Sequence, residues 1–173
     1  MFSGLALLLV LLLMAGESRV SRAHERHLRA AGAIEPPGDV YATMRWAYPA
    51  AFAVLAGEGA LEGPPGAAGI AAGAAVLALA KALKYWAIVS LGRRWTFRVL
   101  VPPGAPLVTR GPYAMVRHPN YIAVIGELVG MAFLVGARVT GPVTALLFGL
   151  LMWKRIRVEN RALAELSGSR AAR

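Results

Sequence analysis

Five apolar segments constrain the fold of this chain more than any other feature of its 173 residues. They lie at about 2–16, 41–57, 69–91, 121–137 and 139–153. A helix needs about 20 residues to cross a bilayer, and only the third segment reaches that length without flanking residues. Charged residues make up only 16% of the chain, whereas soluble domains carry about 25%. We therefore predict an all-α integral membrane protein with about five transmembrane helices.

The basic residues predict how these helices are oriented. All of the 19 lysine and arginine residues except Arg138 lie on one side of a five-span arrangement, with Lys81 and Lys84 assigned to the cytoplasmic end of the third span. The positive-inside rule makes that side cytoplasmic, so the N-terminus is predicted outside and the C-terminus in the cytoplasm. The Ala-, Arg- and Gly-rich composition is typical of high-GC bacteria, which favours a bacterial inner membrane.

The net charge of +10 raises the question of partners. No basic stripe with interleaved aromatic residues accompanies the charge, so we expect no nucleic-acid partner. The expected partners of the cations are anionic membrane lipids. There is no cysteine, and His24, His27 and His118 are too scattered for a metal site, so we expect no metal.

The first apolar segment has two interpretations. It could be a cleaved signal peptide, but its charges follow the apolar core instead of preceding it, which favours a retained span. The Arg- and Ala-rich stretch at 17–33 is predicted to form a separate helix that lies at the membrane interface.

Catalytic motifs of soluble enzymes are missing from the sequence. It has no Gly-x-Gly-x-x-Gly fingerprint, Walker loop, His-Glu-x-x-His motif or nucleophile elbow. Any chemistry must therefore come from the connection at 93–121, from polar residues within the spans, and from the start of the C-terminal tail.

The segment at 111–121 concentrates polar groups at the start of the fourth span. Pro119 has no N–H and favours an extended conformation at His118, so Arg117 and His118 are predicted to lie at the mouth of the helix. Asn120 is the predicted N-cap, and the free N–H groups that follow suit an anion. The alternative is that Arg117 and His118 are ordinary interfacial anchors.

Glu127 follows Asn120 by seven residues and shares its helix face. A carboxylate at that depth must face protein or a water-filled cavity. Two roles remain open at this point: a proton acceptor, or a structural partner of an arginine or a tyrosine hydroxyl. Gly126 and Gly130 form a small-xxx-small pair that predicts close helix packing.

Arg155 and Glu159 lie four residues apart, so they share one face if the last helix continues beyond the span. This pair is either a solvated, salt-bridged helix end or part of a binding site. In the second case Glu159 would hold a polar or cationic group of a cofactor that enters from the cytosol.

Four segments together carry a family resemblance. They are 91–96 (Leu-Gly-Arg-Arg-Trp-Thr), 107–113 (Leu-Val-Thr-Arg-Gly-Pro-Tyr), 117–121 (Arg-His-Pro-Asn-Tyr) and 155–159 (Arg-Ile-Arg-Val-Glu). In this order they resemble the isoprenylcysteine carboxyl methyltransferase family, which is related to membrane phospholipid methyltransferases. The N-terminal half, including 32–35 and the Tyr41-x-x-Met44 pattern, resembles a bacterial branch linked to O-methylation of alkylpyrones and alkylresorcinols.

The resemblance implies an integral membrane methyltransferase that uses S-adenosylmethionine without a Rossmann domain. Its cofactor pocket would face the cytosol, between the 93–121 connection and the C-terminal helix. By the same resemblance, His118, Tyr121 and Glu159 would contact the cofactor. The pocket would be shaped by Tyr113, Arg117, Pro119 and Arg155. Relatives carry two consecutive acids at the late motif, and the second position here is Asn160.

Methyl transfer mainly requires alignment of donor and acceptor. A phenol or enol acceptor also needs deprotonation or a positive environment. The residues predicted to supply one or the other are Glu127, Arg94 and Arg98, with His118 and Arg93 as further candidates.

We expect one membrane domain over 1–173, with N-terminal spans and an interfacial helix at 1–62 and a catalytic core at 69–166. The expected partner is a lipophilic small molecule from the bilayer, preferably a long-chain pyrone or phenolic lipid methylated on a hydroxyl. The alternatives are the carboxyl of an isoprenyl thioether and a phospholipid amine. A non-enzymatic scaffold or transporter subunit is disfavoured because only Glu127 is predicted to lie deep in a span.

Overall fold

The computed structural model describes residues 1–166, and five α-helices account for most of them. The helices are α1 (Phe2–Ala30), α2 (Tyr41–Glu62), α3 (Ala67–Leu91), α4 (Pro119–Val135) and α5 (Thr140–Leu166). The described residues contain no strand, and a single antiparallel bridge joins Ile34 to Val101. This confirms the prediction of an all-α protein with five helices.

Two helices are long and apolar enough to cross a membrane by themselves, at Phe2–Ala30 and Ala67–Arg94. Pro119–Val135 is a shorter apolar helix. The buried core lies among α2, α4 and α5, where Phe52, Leu55, Leu128, Met131 and Phe148 pack together. Many large apolar side chains on the outer helix faces are exposed, as expected for surfaces that contact lipid tails.

Helix α1 runs without a break over 29 residues, so the prediction of a separate interfacial helix at 17–33 is wrong. The stretch contains no proline after the apolar half, and a single glycine such as Gly16 weakens a helix without ending it. Glu17 and Ser21 are buried, because the second half of α1 packs against protein. Glu17 pairs with Lys81 and Lys84 of α3.

Helix α4 begins two residues before the predicted position. Pro119 is its first residue and His118 its N-cap, so the prediction of an Asn120 cap is wrong. Proline is favoured at the first helical position because its ring presets φ and its missing N–H would have no partner there. Asn120 instead lies in the first turn, where its Oδ1 accepts a hydrogen bond from Trp95 Nε1 at 3.2 Å.

Helix α5 continues beyond the predicted fifth span and forms one element of 27 residues. Arg155 and Glu159 both reach Tyr121 of α4, so the predicted shared face of this pair is confirmed. The polar residues near the end of α5 are therefore fixed relative to the start of α4.

The connection between α3 and α4 folds across one end of the bundle. It contains two short 3₁₀ helices, Gly92–Arg94 and Gly111–Ala114. Gly111 has φ +60°, and an added Cβ would lie 2.9 Å from Ser90 Cβ and 3.1 Å from Trp86 Nε1. Glycine is therefore required at this position both by its backbone conformation and by the closeness of α3.

Helices α3 and α4 approach each other through small residues. An added Cβ at Gly130 would lie 2.6 Å from the Leu77 backbone nitrogen, and one at Gly126 would lie 3.0 Å from Ala80 Cβ. Gly73 of α3 faces the backbone at Leu134 in the same way. The sequence prediction that Gly126 and Gly130 serve close helix packing is confirmed.

Replacing Gly130 by alanine is expected to destabilise the protein by about 1–3 kcal/mol, because the methyl group meets backbone atoms that cannot rotate away. Thermal or denaturant unfolding in detergent measures the change. Gly149→Ala is the matched control, since Gly149 also lies in a helix but has open space around its Cβ position. Equal stability of the two variants would contradict the close contact.

Candidate active site

A cavity of about 710 Å³ opens among all five helices and the connection between α3 and α4. Small-molecule sites have volumes of roughly 300–1,000 Å³. Along α5 the lining runs from Phe148 and Met152 to Glu159 and Asn160. Because a helix rises about 1.5 Å per residue, these residues span about 18 Å along its axis. The cavity thus has an apolar end within the bundle and a polar end beneath the connection.

The site residues predicted from the sequence line this cavity, except Pro119, Glu127 and the further candidate Arg93. The lining members are Arg94, Arg98, Tyr113, Arg117, His118, Tyr121, Arg155 and Glu159. Pro119 is fully buried at the start of α4. The prediction that Pro119 binds the cofactor is therefore corrected, because its ring sets the direction of the chain at His118 and does not reach the cavity.

Arg155 connects three parts of the polar end. Its Nε donates to the Tyr121 hydroxyl at 3.0 Å, and its Nη2 donates to the Phe97 carbonyl. Its Nη1 lies 3.3 Å from Asp39 Oδ1. The arginine is buried, so these contacts replace water around the guanidinium. Arg155 thereby ties α5 to α4, to the connection and to the loop before α2.

Tyr121, Glu159 and His118 form a cluster at the polar end. The Tyr121 hydroxyl donates to Glu159 Oε2, and the His118 ring stacks on Tyr121 with centroids 5.3 Å apart. His118 Nδ1 lies 3.8 Å from Glu159 Oε2. His118 Nε2 lies 3.0 Å from Asn160 Oδ1, a contact that is a hydrogen bond when the proton is on Nε2. Asn160 therefore has a defined place beside the imidazole.

Asp39 is a site-forming residue that sequence reasoning missed. Besides Arg155, its carboxylate accepts hydrogen bonds from the backbone N–H of Val99 at 3.1 Å and of Tyr41 at 3.2 Å. Its side chain is only 4% exposed. An aspartate after Pro-Pro-Gly looks like an ordinary loop residue, and no local signal points to a partner more than 110 residues away.

Arg98 holds the wall of the cavity near α1 and α2. Its Nη1 donates to Glu35 Oε1 at 2.7 Å, and its guanidinium lies 4.4 Å from the centre of the Tyr41 ring. Burial by itself would raise the pKa of Glu35, but hydrogen bonds and charges from Arg98 and Arg29 outweigh it and lower the pKa. Because these pairings occupy its guanidinium, Arg98 is better suited to shaping the cavity wall than to the predicted catalytic role.

Arg94, Tyr113 and Arg117 complete the polar end from the connection. Arg94 Nη1 donates to the Pro106 carbonyl at 2.5 Å, which fixes the loop above the cavity. Burial, and then the negative charge of Glu159, raises the pKa of Tyr113. Its phenol is therefore neutral and available as a hydrogen-bond donor at physiological pH.

Glu127 lies in a charge quartet, which we define as Glu17, Lys81, Lys84 and Glu127. Lys81 Nζ lies 2.7 Å from Glu17 and 3.0 Å from Glu127, and Lys84 Nζ has the same two separations from their other carboxylate oxygens. All four side chains are at most 9% exposed. The Tyr48 hydroxyl also donates to Glu127 Oε2 at 2.7 Å.

The quartet corrects three sequence predictions. Lys81 and Lys84 are buried within the bundle and do not belong to the basic cluster that was predicted to face the cytoplasm. Glu127 is not the only charged residue buried deep in the bundle. The sequence-based reason for disfavouring a transporter subunit, which relied on a single deep charge, therefore no longer holds. Glu127 does not line the cavity, and its partners are two lysines and Tyr48. The structure therefore favours its structural role over its role as a base. The sequence predicted an arginine or a tyrosine hydroxyl as the structural partner of Glu127, and it did not predict a lysine.

An all-helical membrane protein with a cavity between a polar cluster and the bundle interior defines the general class. The model of the isoprenylcysteine carboxyl methyltransferase (ICMT) family matches residues 73–165, more than half of the chain. The chain belongs to this family, whose members are membrane methyltransferases.

Three bacterial relatives illustrate the similarity. The uncharacterized protein YpbQ of Bacillus subtilis is 35% identical over 153 residues, which cover 88% of this chain and 91% of YpbQ. An uncharacterized protein of Haemophilus influenzae is 30% identical over 95 residues, 54% of this chain and 55% of that protein. The cobalt-zinc-cadmium resistance protein CzcN of Cupriavidus metallidurans is 32% identical over 78 residues, 44% of this chain and 36% of CzcN. No solved structure matches the chain.

Proposed function

We propose that this protein transfers a methyl group from S-adenosylmethionine to a hydroxyl of a lipophilic acceptor taken from the bilayer. The single observation that carries the proposal is one cavity with two chemically different ends. A polar, charged cofactor suits the end with Tyr121, Arg155 and Glu159. An acceptor with an apolar tail suits the end with Phe148 and Met152.

At the polar end, Glu159 is the group proposed to bind the positively charged amino group of the cofactor. The residue faces the cavity with 29% of its side chain exposed, and Tyr121 holds its carboxylate by a hydrogen bond. The His118 ring stacks on Tyr121, and His118 is proposed to contact polar groups of the cofactor. Charge-assisted hydrogen bonds of this kind are stronger than neutral ones.

The reaction makes few demands on acid–base chemistry. Transfer from a sulfonium is an in-line displacement, in which the acceptor oxygen bonds to carbon as the carbon–sulfur bond breaks. The positive charge on sulfur disappears during the step, so a dry, aligned site favours it. The apolar lining by Val124, Phe148 and Met152 supplies such an environment.

The preferred acceptor is a long-chain pyrone or phenolic lipid. The alternatives are carboxyl methylation of an isoprenylcysteine-like thioether and N-methylation of a phospholipid. The resemblance of the N-terminal half to an alkylpyrone and alkylresorcinol branch supports the first choice. CzcN is named for metal resistance, but the described residues contain no group of three or more potential metal ligands.

The proposed orientation places the polar end at the cytoplasm of a bacterial inner membrane. The support is the basic residues that remain on that side without Lys81 and Lys84, including Arg93, Arg94 and Arg117 in the connection. The N-terminus is then outside and the C-terminus inside. This places the polar end where S-adenosylmethionine is available.

The experiment uses the full-length protein in lipid nanodiscs. Calorimetry first measures binding of S-adenosylmethionine. Transfer of a labelled methyl group is then followed into a long-chain 4-hydroxypyrone, an alkylresorcinol, a prenylcysteine and phosphatidylethanolamine. Labelled product from the first two supports the proposal. Absence of cofactor binding would overturn the methyltransferase assignment, and product from the amine alone would overturn the choice of acceptor.

A further inference from the structure

The charge quartet is an unusual feature for a membrane-spanning bundle. Buried ion pairs carry a large desolvation penalty and are weak evidence for stability. Ionisable groups at membrane depth commonly mark a functional site. The proposed methyl transfer, as argued so far, assigns no task to these four residues.

Lys84 differs from the other three members because it alone lines the cavity. Its side chain is only 2% exposed, and its Nζ lies 2.7 Å from Glu17 Oε2 and 3.0 Å from Glu127 Oε1. The two carboxylates account for two of the three N–H groups of the ammonium at these distances. The third N–H of Lys84 can therefore donate to a ligand.

We propose that Lys84 binds the reacting oxygen of the methyl acceptor as an oxyanion and thereby selects acidic hydroxyl or carboxyl acceptors over amines. The inference rests on the proposed function and names the chemistry of its acceptor. In this proposal the acceptor's head group contacts the part of the cavity wall that Lys84 and Tyr48 form. The apolar residues beside this wall then contact the acceptor's tail.

The surroundings of Lys84 favour an anion at this wall. Glu17, Glu127 and Lys81 do not line the cavity, so the charge nearest to a ligand is positive. The Tyr48 hydroxyl donates its hydrogen to Glu127, and its ring lies 5.5 Å from Lys84 Nζ. Coulomb interactions are stronger in such poorly solvated surroundings. An ammonium acceptor would meet like charge here.

The chemical step balances without a protein base. The acceptor loses its proton to water before transfer, because the Lys84 charge lowers the pKa of a neighbouring hydroxyl. The oxyanion then attacks the methyl carbon, the oxygen–carbon bond forms, and the electron pair of the broken carbon–sulfur bond stays on sulfur. The charge on oxygen decreases in the transition state. Lys84 therefore acts mainly on acceptor binding and ionisation, so its loss changes KM more than kcat.

Two charge-balanced double variants isolate the role of Lys84. Glu17→Gln/Lys84→Met and Glu17→Gln/Lys81→Met each keep one lysine beside Glu127, and they differ only in which ammonium remains. Lys81 serves as the control because it contacts the same carboxylates but does not line the cavity. Binding of S-adenosylmethionine to both variants shows that they are folded and that the cofactor site is intact.

The probes are a long-chain 4-hydroxypyrone and its O-methyl ether, with a prenylcysteine as the carboxylate arm. The variant without Lys84 is expected to bind the hydroxypyrone about tenfold or more weakly than the variant without Lys81, as for loss of a charged hydrogen bond. The methyl ether should bind both variants equally. Equal affinity of both variants for the hydroxypyrone, with the cofactor still bound, would overturn the role of Lys84 alone. If the parent protein itself does not bind S-adenosylmethionine, the proposed function is wrong, and this outcome is distinct from a failure of the Lys84 proposal.

The parent protein offers a second test that needs no substitution. The charged and titratable groups that face Lys84 are Glu17 of α1, Tyr48 of α2, Lys81 of α3 and Glu127 of α4. Hydroxypyrone affinity should rise with pH until the acceptor is ionised, while affinity for the methyl ether stays constant. A hydroxypyrone affinity independent of pH through the acceptor's own pKa would contradict the binding of an oxyanion.

Discussion

Replacing Glu159 by glutamine is expected to weaken binding of S-adenosylmethionine by about 10- to 100-fold. Glutamine keeps the size of the side chain but removes the negative charge proposed to face the cofactor's amino group. A hydrogen bond to a charged group contributes about 1.5–3 kcal/mol, which corresponds to this loss of affinity. Titration calorimetry with S-adenosylmethionine in nanodiscs measures the effect.

Glu165→Gln is the matched control for this variant. Glu165 lies on the same helix and is exposed, and it does not line the cavity. Tyr121→Phe tests the support of Glu159, since it removes the hydroxyl that donates to the carboxylate. We expect a smaller loss of affinity for Tyr121→Phe than for Glu159→Gln. Wild-type affinity in Glu159→Gln would show that the cofactor's amino group binds elsewhere.

Replacing Arg155 by methionine is expected to destabilise the protein by about 3–5 kcal/mol, the cost of leaving one partner of a buried ion pair alone. Asp39 would remain with only 4% of its side chain exposed and no cation beside it. The Tyr121 hydroxyl and the Phe97 carbonyl would each lose a hydrogen bond as well. Methyl transfer should fall with the loss of this geometry. Unfolding in detergent and the labelled-methyl assay provide the two measurements.

A second substitution separates the ion pair from the rest of the contacts. Arg155→Met/Asp39→Asn removes the orphaned charge, so it should recover part of the stability lost by Arg155→Met. Arg157→Met is the surface control, because Arg157 is exposed and its guanidinium stacks on Trp153. Its effect should stay within about 0.5 kcal/mol, as for ordinary surface changes. A double variant no more stable than Arg155→Met would show that the Asp39 charge is not the source of the loss.

The charge quartet was not predicted from the sequence, whereas the cluster at the polar end was expected. The grouping of His118, Tyr121 and Glu159 in one cavity was expected from the family resemblance, because spacing alone does not join Glu159 to a motif 38 residues earlier. Lys81 and Lys84 were placed wrongly because lysines near a span end resemble topology signals. Their burial depends on Glu17, which lies more than 60 residues earlier in the chain.

The amino-acid sequence by itself determined the helical membrane class, the five apolar helical segments and the small-residue contact of α4. These properties follow from hydrophobic length and from glycine spacing, which are local. Only the tertiary structure decided that Asp39 joins Arg155, that α1 runs on past Gly16, and that Lys84 reaches the cavity. Each of these outcomes depends on a buried charged side chain that pairs with a residue on a distant segment of the chain. Burial in a medium of low polarity makes such partners necessary, and only the packed helices determine which residues they are.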